Sequence, residues 1–240
     1  ANGVEFSAGY WQRLEAMLDF IAALMDAGGH VPMIGDADDA HLVRFDPRPG
    51  ADVYRSLLAT GAVLFGRGDF KAKAGAFDDK SRWLLGDAAA ERFAAVEAIP
   101  AEPRRAFPEG GYWVLGDGFG TEREVHLVAD AGPLGYLSIA AHGHADALAF
   151  TLSLGGVQFL IDPGTYAYHT QKRWRDYFRG TAAHNTLRLD GVDQSVIGGN
   201  FLWTRHARAR CLEWVPGPEV DRWVGAVSYT HLTLPTIYSV

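Results

Sequence analysis

The stretch His142–Asp162, HGHADALAFTLSLGGVQFLID, carries two histidines and an aspartate at alternate positions and then runs into an apolar pattern. In an extended chain alternate side chains share a face, which places His142, His144 and Asp146 on the side of Leu148, Phe150, Leu152 and Leu154. The apolar four mark the buried face. An unbroken strand would turn three ionisable groups inward, where they must be paired, hydrogen-bonded or metal-bound. Two readings stay open at this point, a satisfied polar network beneath a loop and a built site.

Working outward, Gly155-Gly156 is a hairpin turn signal between this strand and VQFLID. Further strand-like runs are YWVLGD (Tyr112–Asp117), REVHLVAD (Arg123–Asp130), LSIAAHGHADALAFTLSL (Leu137–Leu154), NTLRLDG (Asn185–Gly191) and RHARARCLEWV (Arg205–Val215). Upstream the period changes. Trp11, Leu14, Met17, Leu18, Ile21, Leu24 and Met25 recur at threes and fours and predict an amphipathic helix that stops at Gly28-Gly29. Asp52–Phe65 and Asp87–Ala98 predict two more. IPAEPRRAFPEGG (Ile99–Gly111) closes the helical region with prolines and a glycine pair. The expected class is α+β, a helical piece followed by an antiparallel β-sandwich.

The chain has 240 residues, 48% of them hydrophobic and 12% aromatic, enough for one large domain or two small ones. No apolar run reaches the roughly 18 residues of a bilayer span, and no basic segment with an apolar core opens the chain. The opening ANGVEF starts mid-pattern, so an internal fragment is expected. Cys211 is the sole cysteine, which excludes an internal disulfide. The net charge of -7 argues against a general polyanion-binding surface, and no nucleic-acid partner is expected.

One segment runs against that charge. His169–Arg188 carries Lys172, Arg173, Arg175, Arg179 and Arg188 against a single acid, Asp176, and reads either as a localised anion site or as a solvated basic turn. Trp174, Tyr177 and Phe178 beside the arginines could stack on sugar rings or pin the segment down. Asp36, Asp38 and Asp39 fit no complete cation-loop pattern and are expected in a solvated loop. His126, His169 and His206 lack a motif context and are expected in surface or packing roles. His142/His144, Asp162 and His184 each fall at a strand end or turn, and two imidazoles with a carboxylate suit a zinc-type ion.

HGHADALAFTLSLGGVQFLIDPGTYAY and WRDYFRGTAAHNTLRLDGVDQ resemble the β-sandwich segment of the heparinase II/III-like polysaccharide lyases, a family that includes oligoalginate lyase relatives. The likeness runs from about Gly111 to Gln194. It implies that residues 1–100 are the C-terminal helices of an incomplete α/α toroid and residues 101–226 a truncated sandwich. The remaining segment, VSYTHLTLPTIYSV (227–240), resembles a translated sequencing adapter and is expected to carry no function, His231 included. EFSAGYW resembles the toroid motif E-x-S-x-x-Y-H, which implies a catalytic role for Tyr10, with Trp11 standing where the motif has histidine.

The same resemblance implies that His142 faces substrate and that His144, Asp162 and His184 hold a structural divalent metal, with zinc expected. Such enzymes cleave uronate-containing polysaccharides by β-elimination, are bacterial, and are periplasmic or secreted. Tyr10 and His142 are then the acid/base pair. Arg175 and Arg179 are candidates for the sugar carboxylate or sulfate, because a guanidinium matches planar anions with two donors. The implied partner is an anionic polysaccharide or oligosaccharide such as a glycosaminoglycan or alginate. A non-catalytic glycan-binding sandwich and a metal-dependent hydrolase remain alternatives, and the truncated chain is expected to be inactive alone.

Overall fold

The computed structural model describes residues 3–37, 44–46, 48, 50–100, 103–229 and 233–239. The chain divides into a helical unit, Ala1–Val31 with Ala40–Pro103, and a β unit, Pro32–Asp39 with Arg104–Val240. Asp38 and Asp39 lie outside the described residues.

The helical unit holds α1 (Ala8–Leu24), α2 (Val53–Phe65), α3 (Gly68–Ala74), α4 (Asp79–Leu85) and α5 (Ala88–Ala95). The expected helices at the start, at Val53 and at Ala88 are present, the first ending at Leu24, short of the expected stop at Gly28-Gly29, and the third spanning only Ala88–Ala95. Ser7 caps α1 by accepting from the Tyr10 N–H at 3.3 Å. Asp52 caps α2 by accepting from Tyr54 and Arg55, and Gly66 ends that helix in a left-handed conformation. Leu18, Met25, Leu58, Ala62, Phe70 and Phe93 are buried together as the core of this unit. On its surface Arg67 donates to Glu15 at 2.9 Å and to Asp19 at 2.7 Å, tying α1 to the end of α2.

The β unit contains a five-stranded antiparallel meander of β1 (Arg105–Phe107), β2 (Tyr112–Asp117), β3 (Val125–Asp130), β4 (Phe150–Leu154) and β5 (Val157–Leu160). The β4–β5 turn is Gly155-Gly156 with both φ values positive, as a tight hairpin requires. After α6 (Lys172–Phe178) and a 3-10 turn at Thr181–Ala183 come β6 (Val196–Gly199) and β7 (Leu202–Arg205), which form a two-stranded ribbon. The last sheet joins β8 (Arg208–Val215), β9 (Arg222–Ser228) and β10 (Thr233–Ser239) in the order β10-β9-β8. Trp113, Leu115, Leu127 and Ala129 of the meander are buried with Trp223 and Val227 of β9, and the Trp113 and Trp223 rings lie 5.8 Å apart. Two sheets thus share one apolar layer, which is the sandwich arrangement.

Of the expected strands, Leu137–Leu154 forms only over Phe150–Leu154 and Asn185–Gly191 does not form. Leu137–Ala149 is irregular because Leu137, Ala140, His142 and Leu148 have φ between 51 and 61°, incompatible with an extended chain. Asn185–Gly191 is likewise irregular, with an isolated bridge from Leu189 to Val192. The shared face inferred from alternation for His142, His144 and Asp146 therefore does not exist. His142 is 58% exposed, whereas His144 is buried.

Candidate metal centre and adjoining histidine

Although the strand is absent, the loop that replaces it gathers the polar residues. Gly143 passes so close to the Leu134 carbonyl that a Cβ there would sit 1.5 Å from the oxygen, so glycine is required between the two histidines. The Gly143 carbonyl accepts from the buried Trp203 indole at 2.9 Å, and Ala145 N–H donates to the Arg179 carbonyl at 2.8 Å. These bonds fix His144 and Asp146 inside the unit.

The TAAHNT segment is stitched to the same loop. The buried Thr181 hydroxyl donates to the Ala145 carbonyl at 2.7 Å, and Thr186 donates to the Ala147 carbonyl at 2.6 Å. Asn185 donates to the carbonyls of Phe150 (3.1 Å) and Ile161 (2.8 Å), bridging the start of β4 and the residue after β5. His184 is thereby held beside Asp162, whose Oδ1 accepts from Gly164 N–H at 2.8 Å in the DPG turn.

His144, Asp146, Asp162 and His184 each offer a ligand atom, and these atoms all lie within 4.8 Å of one another. The histidine orientations are set from outside the cluster. His184 Nδ1 lies 2.8 Å from the Gly180 carbonyl and must donate to it, which leaves Nε2 bare. His144 Nε2 lies 3.1 Å from Asp36 Oδ1 and must donate to that carboxylate, which leaves Nδ1 bare. The two bare nitrogens face each other at 3.2 Å, close to the roughly 3.3 Å that two imidazoles keep on one tetrahedral zinc. Two acceptors pointed at each other repel unless a cation lies between them, and outward donation to a carboxylate and a carbonyl is the support that metal-bound imidazoles usually have. The donor set thus fits a divalent ion with nitrogen and carboxylate ligands.

The electrostatics agree with that fit. Burial pushes the Asp146 carboxyl up to about 7 and the Asp162 carboxyl up to about 6, and burial lowers His144. Asp130, which adjoins a cavity of about 30 Å³ with Tyr112, Asp146 and Asp162, is pushed well above the carboxylate range by burial and by the Asp146 charge. A divalent cation offsets the cost of keeping such carboxylates ionised. Because the folded pKa values of Asp146 and Asp162 exceed the unfolded value near 3.9, their contribution favours the metal-free fold below about pH 4 and is lost as pH rises through about 6 and 7. Zinc binding requires the ionised forms, so the difference in melting temperature between zinc-loaded and chelated protein is expected to widen between about pH 5 and 8. Melting curves across that range, with and without chelator, check this; a constant difference would contradict it.

The segment at Gly35-Asp36 contributes a residue that sequence reading placed in solvent. Asp36 has a fully buried side chain, in place of the expected solvated loop. Its Oδ2 accepts from Arg175 at 2.7 Å and from His142 Nδ1 at 3.2 Å, and its Oδ1 accepts from His144 and from the other Arg175 nitrogen. Burial alone would raise the Asp36 carboxyl, but the hydrogen bonds from His144 and Arg175, with the Arg175 charge, hold it well below the usual carboxylate range.

Arg175 and Arg179, the expected partners of a sugar anion, sit in the interior. Both are buried. Arg175 is committed to Asp36 and to the Asn200 carbonyl, while Arg179 donates to the carbonyls of Gly199 and Asn200 and lies over the Trp203 ring. Their charges hold the loop around Asp36 and the turn at Gly199-Asn200. The exposed members of the basic segment are Lys172, Arg173 and Arg188, with Trp174 and Tyr177 beside the first two. His126 is buried, and His169 and His206 are exposed.

In the helical unit Tyr10 is 47% exposed and its ring stacks on Phe6 at 4.3 Å, with Trp11 edge-on at 5.6 Å. Ser7 of the same motif acts as the helix cap. In the β unit the exposed His142 ring lies 5.5 Å from Phe201 and 6.4 Å from Tyr168. Asp146 and Asp36 are the two residues absent from the expected ligand and site set. The first carries a signal in its H-x-H-x-D spacing, whereas nothing in the sequence marks the second.

A β-sandwich with a buried His/Asp cluster capable of holding a metal ion defines the class. The chain belongs to the family described as heparinase II/III-like, C-terminal, whose model matches residues 99–233. Among solved structures it is similar to the heparan sulfate lyase HepC from Pedobacter heparinus (20% identity, TM-score 0.69, covering 98% of this chain and 31% of that one). It is also similar to a structure of heparinase III (16% identity, TM-score 0.69, 98% and 33%) and to a heparinase III gene product with methylated lysines (18% identity, TM-score 0.63, 98% and 30%). The chain spans about a third of the length of these structures. No curated protein sequence matches it. No helix among the described residues is long and apolar enough to cross a membrane.

Proposed function

We propose that the chain is part of a polysaccharide lyase that cleaves uronate-containing chains by β-elimination. The observation that carries this reading is an exposed histidine, His142, held two residues from a buried cluster suited to a metal ion, in a chain of the heparinase II/III-like family. Zinc is the ion that the two imidazoles and two carboxylates fit best, and when bound it would cross-link the loop, the DPG turn and the TAAHNT segment. Its role in this reading is structural, with His144, Asp146, Asp162 and His184 as ligands.

In β-elimination a base removes the proton on C5, alpha to the sugar carboxylate, and the electron pair forms the C4–C5 double bond as the C4–O bond breaks. The leaving oxygen takes a proton from an acid. His142 is suited to hold or move a proton because its imidazole offers one ring nitrogen as donor and the other as acceptor. Tyr10 is assigned as its acid/base counterpart, a role supported by the E-x-S-x-x-Y motif. The relatives named for heparan sulfate make glycosaminoglycans the first substrate class to try, with alginate next. A periplasmic or secreted location accords with an extracellular polymer as substrate.

The test is a panel of uronate polysaccharides incubated with the zinc-loaded chain, and with the longer polypeptide that carries it, following ultraviolet absorbance of the unsaturated product. Absorbance should rise on one substrate and fall by at least about 100-fold in rate for Tyr10→Phe, in line with loss of an acid/base group, with melting temperature unchanged. Cleavage without a new double bond would indicate a hydrolase instead.

A further inference from the structure

We propose that Asp36 is a positioning residue that sets both histidines of the HGH motif, fixing His142 with its Nδ1 protonated and its Nε2 bare and turned away from the carboxylate. What the bare nitrogen does rests on the lyase reading, but the positioning itself does not.

The geometry divides one carboxylate between two rings. Asp36 Oδ2 lies 3.2 Å from His142 Nδ1 and Oδ1 lies 3.1 Å from His144 Nε2. An ionised carboxylate only accepts, so each facing nitrogen must carry a hydrogen, and each far nitrogen of a neutral ring is then a lone pair. For His144 the far nitrogen points into the His/Asp cluster. For His142, on an exposed ring, it is available to an incoming proton. Arg175 pairs with both Asp36 oxygens, which keeps the carboxylate ionised and oriented.

The backbone enforces the same arrangement. Asp36 N–H donates to the His142 carbonyl at 2.9 Å. The preceding Gly35, at φ 57°, comes so near that a Cβ would lie 2.4 Å from the His142 oxygen. The segment is therefore docked on the very residue whose ring it orients. His142 itself is left-handed, at φ 61°, a conformation that a non-glycine residue keeps only when its surroundings impose it.

The tautomer is measurable without any assay of activity. Long-range nitrogen–proton correlation spectra of the zinc-loaded chain at about pH 8 report which ring nitrogen carries hydrogen. The His142 signals are identified by their loss in His142→Asn. The expected result is the Nδ1-protonated form for His142, replaced in Asp36→Asn by a mixture with the Nε2-protonated form. In the same variant the zinc dissociation constant should rise about 10- to 100-fold, the usual effect of removing a carboxylate behind a ligating imidazole. An Nε2-protonated His142 in the unaltered chain would overturn the proposal, and that spectrum decides even where Asp36→Asn does not fold. A folded Asp36→Asn with unchanged tautomer and zinc affinity would overturn it as well. Absence of elimination with the Nδ1-protonated form intact would refute the lyase reading and leave the positioning role standing.

Discussion

His184→Ala is expected to abolish zinc retention and to lower the melting temperature of the β unit by roughly 10 °C. The imidazole is buried, its Nδ1 is satisfied by the Gly180 carbonyl, and its Nε2 lies 3.2 Å from His144 Nδ1 and 3.6 Å from Asp162 Oδ2. The TAAHNT segment that carries it is tied to the loop by Thr181, Asn185 and Thr186. An ion held at about a thousand times its dissociation constant stabilises a fold by ~4 kcal/mol, and for a unit of this size each kcal/mol moves the transition by ~2–4 °C. The decisive comparison is between the variant and chelated wild type. If metal loss is the cause, the two should melt within a few degrees of each other, and adding zinc should shift only the wild type. Retention of stoichiometric metal by His184→Ala would remove this residue from the ligand set.

Arg175→Ala should cost about 3–5 kcal/mol, the range found when one partner of a buried ion pair is removed and the other is left uncompensated. Asp36 would be left in the interior with only histidine donors, and the Asn200 carbonyl would keep Arg179 as its one guanidinium partner. The exposed neighbour Arg173 is the control, and its change to alanine should stay within about 0.5 kcal/mol. Denaturant melts of both variants separate the two roles considered for this segment. A stable Arg175→Ala that only weakens binding of an anionic oligosaccharide would restore the substrate-binding assignment and contradict the buried pair.

The contrast between Arg173 and Arg175 shows where sequence reading loses information. A run of basic residues with one acid looks solvated or anion-binding, because the carboxylate that takes up Arg175 is Asp36, 139 positions away and itself hidden in an acidic loop. Neither half of that pair announces the other. The helices around Leu18 and Leu58 were legible because their apolar spacing and caps are local, and the β4–β5 hairpin because two glycines specify its turn. The strand expected through His142 failed for a tertiary reason. Left-handed residues at His142 and Leu148 break the alternation, and the bonds that hold the loop from His142 to Ala145, with Trp203, Arg179 and Asp36, come from remote segments. His144, Asp162 and His184 nevertheless lie together, joined by Asp146, which the sequence had placed with the histidines on a face that is not there.

The most direct test of a metal-organised loop is anomalous scattering from crystals of the zinc-loaded chain, with data above and below the zinc absorption edge. The expected result is a single edge-dependent peak among His144 Nδ1, His184 Nε2 and the carboxylates of Asp146 and Asp162, about 2.0–2.2 Å from each atom that binds it. A zinc-loaded crystal with no peak there, and the two imidazoles turned apart, would contradict the site and with it the arrangement that presents His142.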